Sequence, residues 1–446
     1  MRLKTSYRQI WSISFPIMVG SAAQNLIVLS DNIFLSFKSG IEFASIGIVG
    51  VFYLLVASIG YGFSRGGQIL IARKYGERNY KGVGYYFQAL VIFELIMATI
   101  LFIFLQFGSE WFFGLFLESP EVFQHCIAYI KPRSFGIFFS FLGVSLIALY
   151  TGIARTSFII YDTILLVVIN IVLNYVFIFG ALGMQPMGIA GAGIASTIAE
   201  IVAFIVFGIY MFYDKYNRRF KLLNIHLLKL DWIKQVFVTS APVVLQSGLG
   251  IGSWFVFFTF IENVGEKELE ISNLIRNMYL ILSVPCWGFS AGINTLVSNF
   301  IGMKKRQAVI PLILKTVKIN VLVTLCLALP VVIFPEIFLL PLFGLDDQNL
   351  LIMIKPLMPV LLAIMVTFAI GAIYMNGLIG TGFTEIGLYI QFIGTVLYFI
   401  YIYFIVKVHY ISLGWAWSAE IFYWLFMLLV CIFYMNSPLW KNKKAF

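Results

Sequence analysis

An aspartate stands inside an otherwise apolar run, "NLIVLSDNIFLSF", residues 25 to 37. A carboxylate among apolar side chains costs several kcal/mol if it stays charged and alone, so Asp31 must carry a proton or hold a cation. Either behaviour makes a coupling site. Gln24 lies seven residues earlier on the same helical face, and Asn170 and Asn174 are spaced i, i+4, so they too share a face. Two amides and a carboxylate can surround one proton or one sodium ion. A second reading stands beside this one: Asp31 reaches for water near the outer interface, and the asparagines bridge helices, as polar residues in membrane bundles often do.

Other charges interrupt apolar runs. Glu94 falls in "ALVIFELIMATILF" and Glu200 in "ASTIAEIVAFIV"; each is expensive there and is a candidate for a cation contact or a proton relay. Glu420 in "AWSAEIFYW" echoes Glu200, and an echo in both halves of the chain favours a shared structural role. Arg276 and Glu262 flank one short loop, which predicts a salt bridge between them in preference to contact with substrate. Arg65 is read as reaching out to the cytoplasm. His125, His226 and His409 fall in loops or at the ends of apolar runs, and the sequence has no His-Glu-x-x-His run, nucleophile elbow or phosphate loop, so it is read as a non-enzyme. The four cysteines lie far apart with no metal or disulfide spacing, and no metal or organic cofactor is expected.

The elements that must position these residues are membrane helices. Of 446 residues, 61% are hydrophobic and 11% charged, and mean hydropathy is +0.96, which is far from soluble composition. About twelve apolar stretches are long enough to cross a ~30 Å core, from Ser12–Phe37 and Ala44–Ile71 through Gly84–Gln106 and Ile127–Tyr150 to Leu413–Met435. Loops alternate between basic and acidic. Arg2, Lys4 and Arg8 precede the first span and Arg73, Lys74, Arg78 and Lys81 follow the second, while Glu110, Glu118 and Glu121 mark an opposite loop. Both termini are therefore expected in the cytoplasm of a cell inner membrane. From Ser12 to Asp31 is about 28 Å of helix, which puts the carboxylate in the outer half of the bilayer. The same topology explains the net charge of +10 without nucleic acid as a partner.

The chain repeats itself. "YGFSRGGQILIARKYGERN" aligns with "WGFSAGINTLVSNFIGMKK": Gly62 with Gly288, Gly76 with Gly302, and upstream Pro16 with Pro242, each pair 226 residues apart. "YIKPRSFGIFF" aligns likewise with "MIKPLMPVLLA". Six spans per repeat insert the same way up, giving two six-helix bundles related by an axis along the membrane normal. The expected lobes are 1–213 and 235–446, joined by a basic amphipathic linker, 214–234, lying on lipid headgroups. Position 257, which matches Asp31 in the second repeat, is Phe257.

Taken together, "GFSRGGQILIARKYG", "NIVLNYVFIFG" and "GIAGAGIAS", in this order and with their echoes, resemble the multidrug and toxic compound extrusion family of the multidrug/oligosaccharidyl-lipid/polysaccharide flippase superfamily. The resemblance covers nearly the whole chain. It implies a secondary antiporter that exports amphipathic, usually cationic compounds in exchange for protons or sodium ions by alternating access. It also implies an ion role for Asp31, since the family has an aspartate in a stretch like "SDNIFLS", and for the positions of Asn170 and Asn174. In one branch the second of these is usually an aspartate, so a two-carboxylate site is missing here. Another branch has a glutamate eight residues after the proline matching Pro242; here that residue is Gly250, which locates coupling in the first lobe. The rival reading is a flippase for lipid-linked oligosaccharide or peptidoglycan precursors. It calls for several buried arginines to meet pyrophosphate, and only Arg276 and Arg65 are arguable. The expected partners are small organic cations and membrane lipid, and the expected working form is a monomer.

Overall fold

The computed structural model describes residues 5–222, 229–338, 352–438 and 440, the side chains of residues 23–26, 28 and 29 excepted. Among the described residues every regular element is a helix. The first half holds α1 (Tyr7–Lys38), α2 (Gly40–Gly76), α3 (Tyr80–Ile103), α4 (Ser109–Gly114), α5 (Pro120–Gly152), α6 (Ser157–Phe179) and α7 (Gly188–Tyr213). The second holds α8 (Leu230–Glu262), α9 (Glu266–Gly302), α10 (Val309–Ile333), α11 (Met358–Gly380), α12 (Thr384–Ile402) and α13 (Leu413–Asn436). A π turn, Phe104–Gly108, carries α3 into the short α4. Among the described residues 11 helical stretches are long and apolar enough to span a membrane, and α1, with 32 residues, is the twelfth. The chain is an all-α, twelve-span membrane protein.

Local sequence sets the helix ends. Ser39, Asn79 and Ser119 each cap the helix that follows by accepting a backbone N–H, and Pro120 at the start of α5 has no N–H to leave unpaired. The helices outrun the apolar stretches. α1 starts at Tyr7 and not Ser12, α3 at Tyr80 and not Gly84, and α5 at Pro120 and not Ile127. Helical hydrogen bonding continues through interfacial residues that hydropathy alone discounts.

Two compact units divide the chain: residues 19–244, and residues 1–18 with 245–446. α1 and α8 therefore each change unit part-way, two residues after Pro16 and two after Pro242. Within the first unit a β-carbon at Gly62 would meet Val244 and one at Gly66 would meet Ser240. Within the second unit a β-carbon at Gly288 would meet Met18 and one at Gly292 would meet Ser14. Every member of the first set is 226 residues from its counterpart in the second, the offset of the two prolines. At Gly62, Gly66 and Gly288 a main-chain atom of the neighbouring helix would lie 2.5–3.1 Å from an added β-carbon, so only glycine fits without a shift; at Gly292 the atom that would be struck is the Ser14 hydroxyl oxygen.

The basic segment after α7 is fastened to the first unit. Phe220 is fully buried, Gln88 donates to the carbonyls of Lys221 and Leu222 at 3.1 and 2.9 Å, and Tyr216 carries the guanidinium groups of Arg219 and Arg155 at 3.7 and 4.4 Å from its ring centre. Residues 223–228 of that segment lie outside the described residues.

Candidate cation site

α6 supplies Asn170 and Asn174 one turn apart, both fully buried, and α1 supplies Asp31, 4% exposed. The Asn174 side-chain nitrogen donates to Oδ1 of Asp31 at 2.5 Å and lies 3.2 Å from Oδ1 of Asn170. Asn170 in turn donates to Ser196 Oγ of α7 at 2.9 Å. That hydroxyl donates to the other Asp31 oxygen at 3.5 Å, closing a ring of four side chains from three helices. Oδ1 of Asn174 has no partner among the described residues. The spacing of the two asparagines foretells this grouping. Ser196 was not foreseen, being one serine among many in small-residue stretches. The Gln24 side chain lies outside the described residues, so its place in the group is not fixed.

A cavity of about 60 Å³ adjoins this ring, lined by Asp31, Asn170, Ser196, Tyr53, Tyr61, Tyr129, Arg133 and Glu200 among others. One water needs less than that. Three tyrosines, Tyr53, Tyr61 and Tyr129, share the lining with these polar groups, and all of the lining lies in the first unit.

Arg133 corrects the reading of Glu200. Its two terminal nitrogens meet the two Glu200 oxygens at 2.6 and 2.5 Å, and its guanidinium lies 4.0 Å over the Tyr53 ring. Glu200 thus binds a cation that belongs to the protein. The sequence reading overlooked Arg133 because "YIKPRSF" looks like a basic flank of a span starting at Ile127. With α5 starting at Pro120, Arg133 is about 20 Å into the helix. A signal was present, since the residue matching Arg133 in the second repeat is Leu357, an asymmetry like that of Asp31 and Phe257.

The echo between Glu200 and Glu420 does not extend to their contacts. Glu420 accepts from the Tyr398 hydroxyl at 3.3 Å, with no arginine involved, and Phe257 packs edge-on against Trp417 at 5.1 Å. The expected Arg276–Glu262 salt bridge does not form; Arg276 stands 4.9 Å over the Phe258 ring of α8 instead. Arg65 is exposed. Glu94 is fully buried, does not line the cavity, and has no partner for either carboxyl oxygen among the described residues. The described residues hold no cluster of three or more His, Cys, Asp or Glu able to bind a metal.

Comparison with known proteins supplies the family. The model of the family described as MatE matches residues 16–176 and again 242–404, so the two matches start 226 residues apart. The chain belongs to the MatE family. MatE proteins are membrane transporters and not enzymes. Among relatives, the probable multidrug resistance protein NorM of Photorhabdus laumondii is 23% identical over 333 residues, covering 72% of this chain and 70% of that protein. The probable multidrug resistance protein NorM of Thermotoga maritima is 24% identical over 342 residues, 74% of this chain and 70% of that one. Among solved structures, an outward-facing multidrug resistance MATE family transporter of the MOP superfamily superposes with a TM-score of 0.88 at 18% identity, covering 98% of this chain and 96% of that one. A MOP superfamily transporter from Pyrococcus furiosus, whose binding pocket is described as reversed in polarity and suggestive of a different function, gives 0.85 at 18% identity over 98% and 96%. The MatE fold is thus common to proteins with differing pockets.

Proposed function

We propose that the chain is a secondary antiporter that exports amphipathic, mainly cationic compounds in exchange for inward protons or sodium ions by alternating access. The carrying observation is the buried carboxylate of Asp31, ringed by Asn174, Asn170 and Ser196 at the edge of a tyrosine-lined cavity. Its relatives' designation as multidrug resistance proteins agrees with this reading. The protein works as a monomer in the inner membrane, with both termini in the cytoplasm and no cofactor.

In the mechanism a coupling ion from outside takes Asp31 and weakens the first unit's hold on the organic cation, which leaves outward. A proton needs only the Asp31 oxygens. Sodium needs oxygen ligands, so Asn174 would have to turn its amide and present Oδ1, the atom now without a partner. One ion exchanged for one monovalent cation moves no net charge, so the pH gradient supplies about 1.4 kcal/mol per unit.

Arg133 bears on the flippase alternative. It is the buried arginine beside the cavity, and both its terminal nitrogens are committed to Glu200, which leaves it poorly placed to receive a pyrophosphate. The test is ethidium efflux from proteoliposomes under an imposed proton or sodium gradient, for wild type and Asp31→Asn. Transport driven by one gradient and lost in the variant is expected. Equal efflux by the variant removes Asp31 from the mechanism, and failure of wild type under both gradients redirects the search to lipid-linked substrates.

A further inference from the structure

Three charged side chains line one cavity: Asp31 from α1, Arg133 from α5 and Glu200 from α7. Resting on the coupling role proposed above for Asp31, we infer that Arg133 is a built-in cation, held on Glu200, that leaves the cavity the charge of one carboxylate and so admits one monovalent coupling ion per cycle. Two carboxylates and one guanidinium sum to a single negative charge. Without the arginine the same walls would carry two.

The geometry favours a designed charge over a simple brace between α5 and α7. The fork is bidentate, which suits the planar guanidinium, and Tyr53 covers one face of it. Space for the fork is built into the backbone, because a β-carbon at Gly136, one turn after Arg133, would strike both Arg133 Nη1 and Glu200 Oε2. The repeat is an internal control. The second half retains a glutamate, Glu420, yet has Leu357 in place of the arginine and Phe257 in place of the aspartate. Its glutamate meets a tyrosine hydroxyl. Within this chain the arginine occurs in the repeat that has the aspartate, as a charge-setting role requires and a bracing role does not.

Removing either partner has opposite consequences. In Glu200→Gln the guanidinium loses its carboxylate, and Asp31 is the remaining one lining the cavity, so the protein's own cation competes with the coupling ion. In Arg133→Gln, Glu200 is released and two coupling ions enter together. The measurement is gradient-driven ethidium efflux from proteoliposomes at matched amounts of monodisperse protein, with a valinomycin potassium potential of either sign. Wild-type efflux should be indifferent to the potential, since one ion exchanges for one ethidium. Arg133→Gln should respond by about threefold or more at 100 mV. Glu200→Gln should lose about tenfold or more. The double variant Arg133→Gln/Glu200→Gln should recover most of that loss and be indifferent to potential again. A double variant as inactive as Glu200→Gln, or Arg133→Gln that ignores the potential, overturns the inference; the second readout stands even if Glu200→Gln does not fold. Asp31→Asn is run beside these. Undiminished efflux by that variant defeats the antiport reading itself, whereas an inactive Asp31→Asn with an electroneutral Arg133→Gln defeats only the charge-setting role.

Discussion

The side-chain nitrogen of Asn174 lies 2.5 Å from Oδ1 of Asp31, so the amide is turned donor-first toward the carboxylate. This orientation serves a bare carboxylate and gives nothing to a metal ion. Asn174→Asp replaces the donor with a second acid, which must share a proton or enclose a cation with Asp31. We expect Asn174→Asp to bind 22Na+ about tenfold more tightly than wild type, since a second anionic oxygen donor is added in a low-dielectric site. Equilibrium binding on purified protein checks it, and unchanged binding would mean the two positions do not share an ion.

Gly136 sets a second expectation. A β-carbon there collides with both halves of the Arg133–Glu200 fork, so Gly136→Ala should destabilise the protein by about 1–3 kcal/mol. The shorter Gln side chain should relieve that collision. A double-mutant cycle of Gly136→Ala with Arg133→Gln, read by thermal melting in detergent, should therefore show a coupling of about 0.5 kcal/mol or more. Additive losses would place the clash elsewhere.

How far the sequence revealed these features depended on whether a residue stood out along one dimension. Asp31 did, because a lone acid in an apolar run is conspicuous, and Asn170 with Asn174 did, because the α-helical period puts them on one face. The twelve spans and the 226-residue repeat were visible for similar reasons. Arg133 was not, because its neighbours Lys131 and Pro132 mimic the edge of a span; only the true start of α5 shows that it is buried. Ser196 needed α7 packed beside α6. The expected Arg276–Glu262 pair failed because closeness along a loop says nothing about side-chain direction, and the guanidinium stands over the Phe258 ring instead.

Glu94 leads to a stability prediction. Both carboxyl oxygens are buried without a partner among the described residues, an arrangement that costs about 1–3 kcal/mol when a polar group is left unmade. Glu94→Leu removes the polar atoms and keeps most of the volume. Its melting temperature should rise by about 1–2 °C, which in a chain of this length corresponds to about 1–2 kcal/mol. A fall would show that the carboxyl has a partner in the membrane.

The exchanged ends of α1 and α8 give two substitutions that are equivalent in sequence yet unequal in cost. A β-carbon at Gly292 would strike the hydroxyl oxygen of Ser14, while Ser14 Cβ and Cα stay 3.3 and 3.6 Å away. That hydroxyl has no hydrogen-bond partner among the described residues, so it is free to give way. A β-carbon at Gly66 would instead fall 2.5 Å from Cα of Ser240, whose hydroxyl donates to the Phe63 carbonyl at 2.9 Å, and a backbone atom cannot rotate aside. Gly66→Ala should therefore cost at the upper end of the 1–3 kcal/mol usual for overpacking, and Gly292→Ala at the lower end. Ser14→Ala should rescue Gly292→Ala, because it removes the colliding atom. Ser240→Ala should not rescue Gly66→Ala, because the collision is with the main chain. Melting temperatures of the four single and two double variants decide the matter, and equal rescue at both sites would show that α8 shifts against α2 as readily as a serine side chain turns.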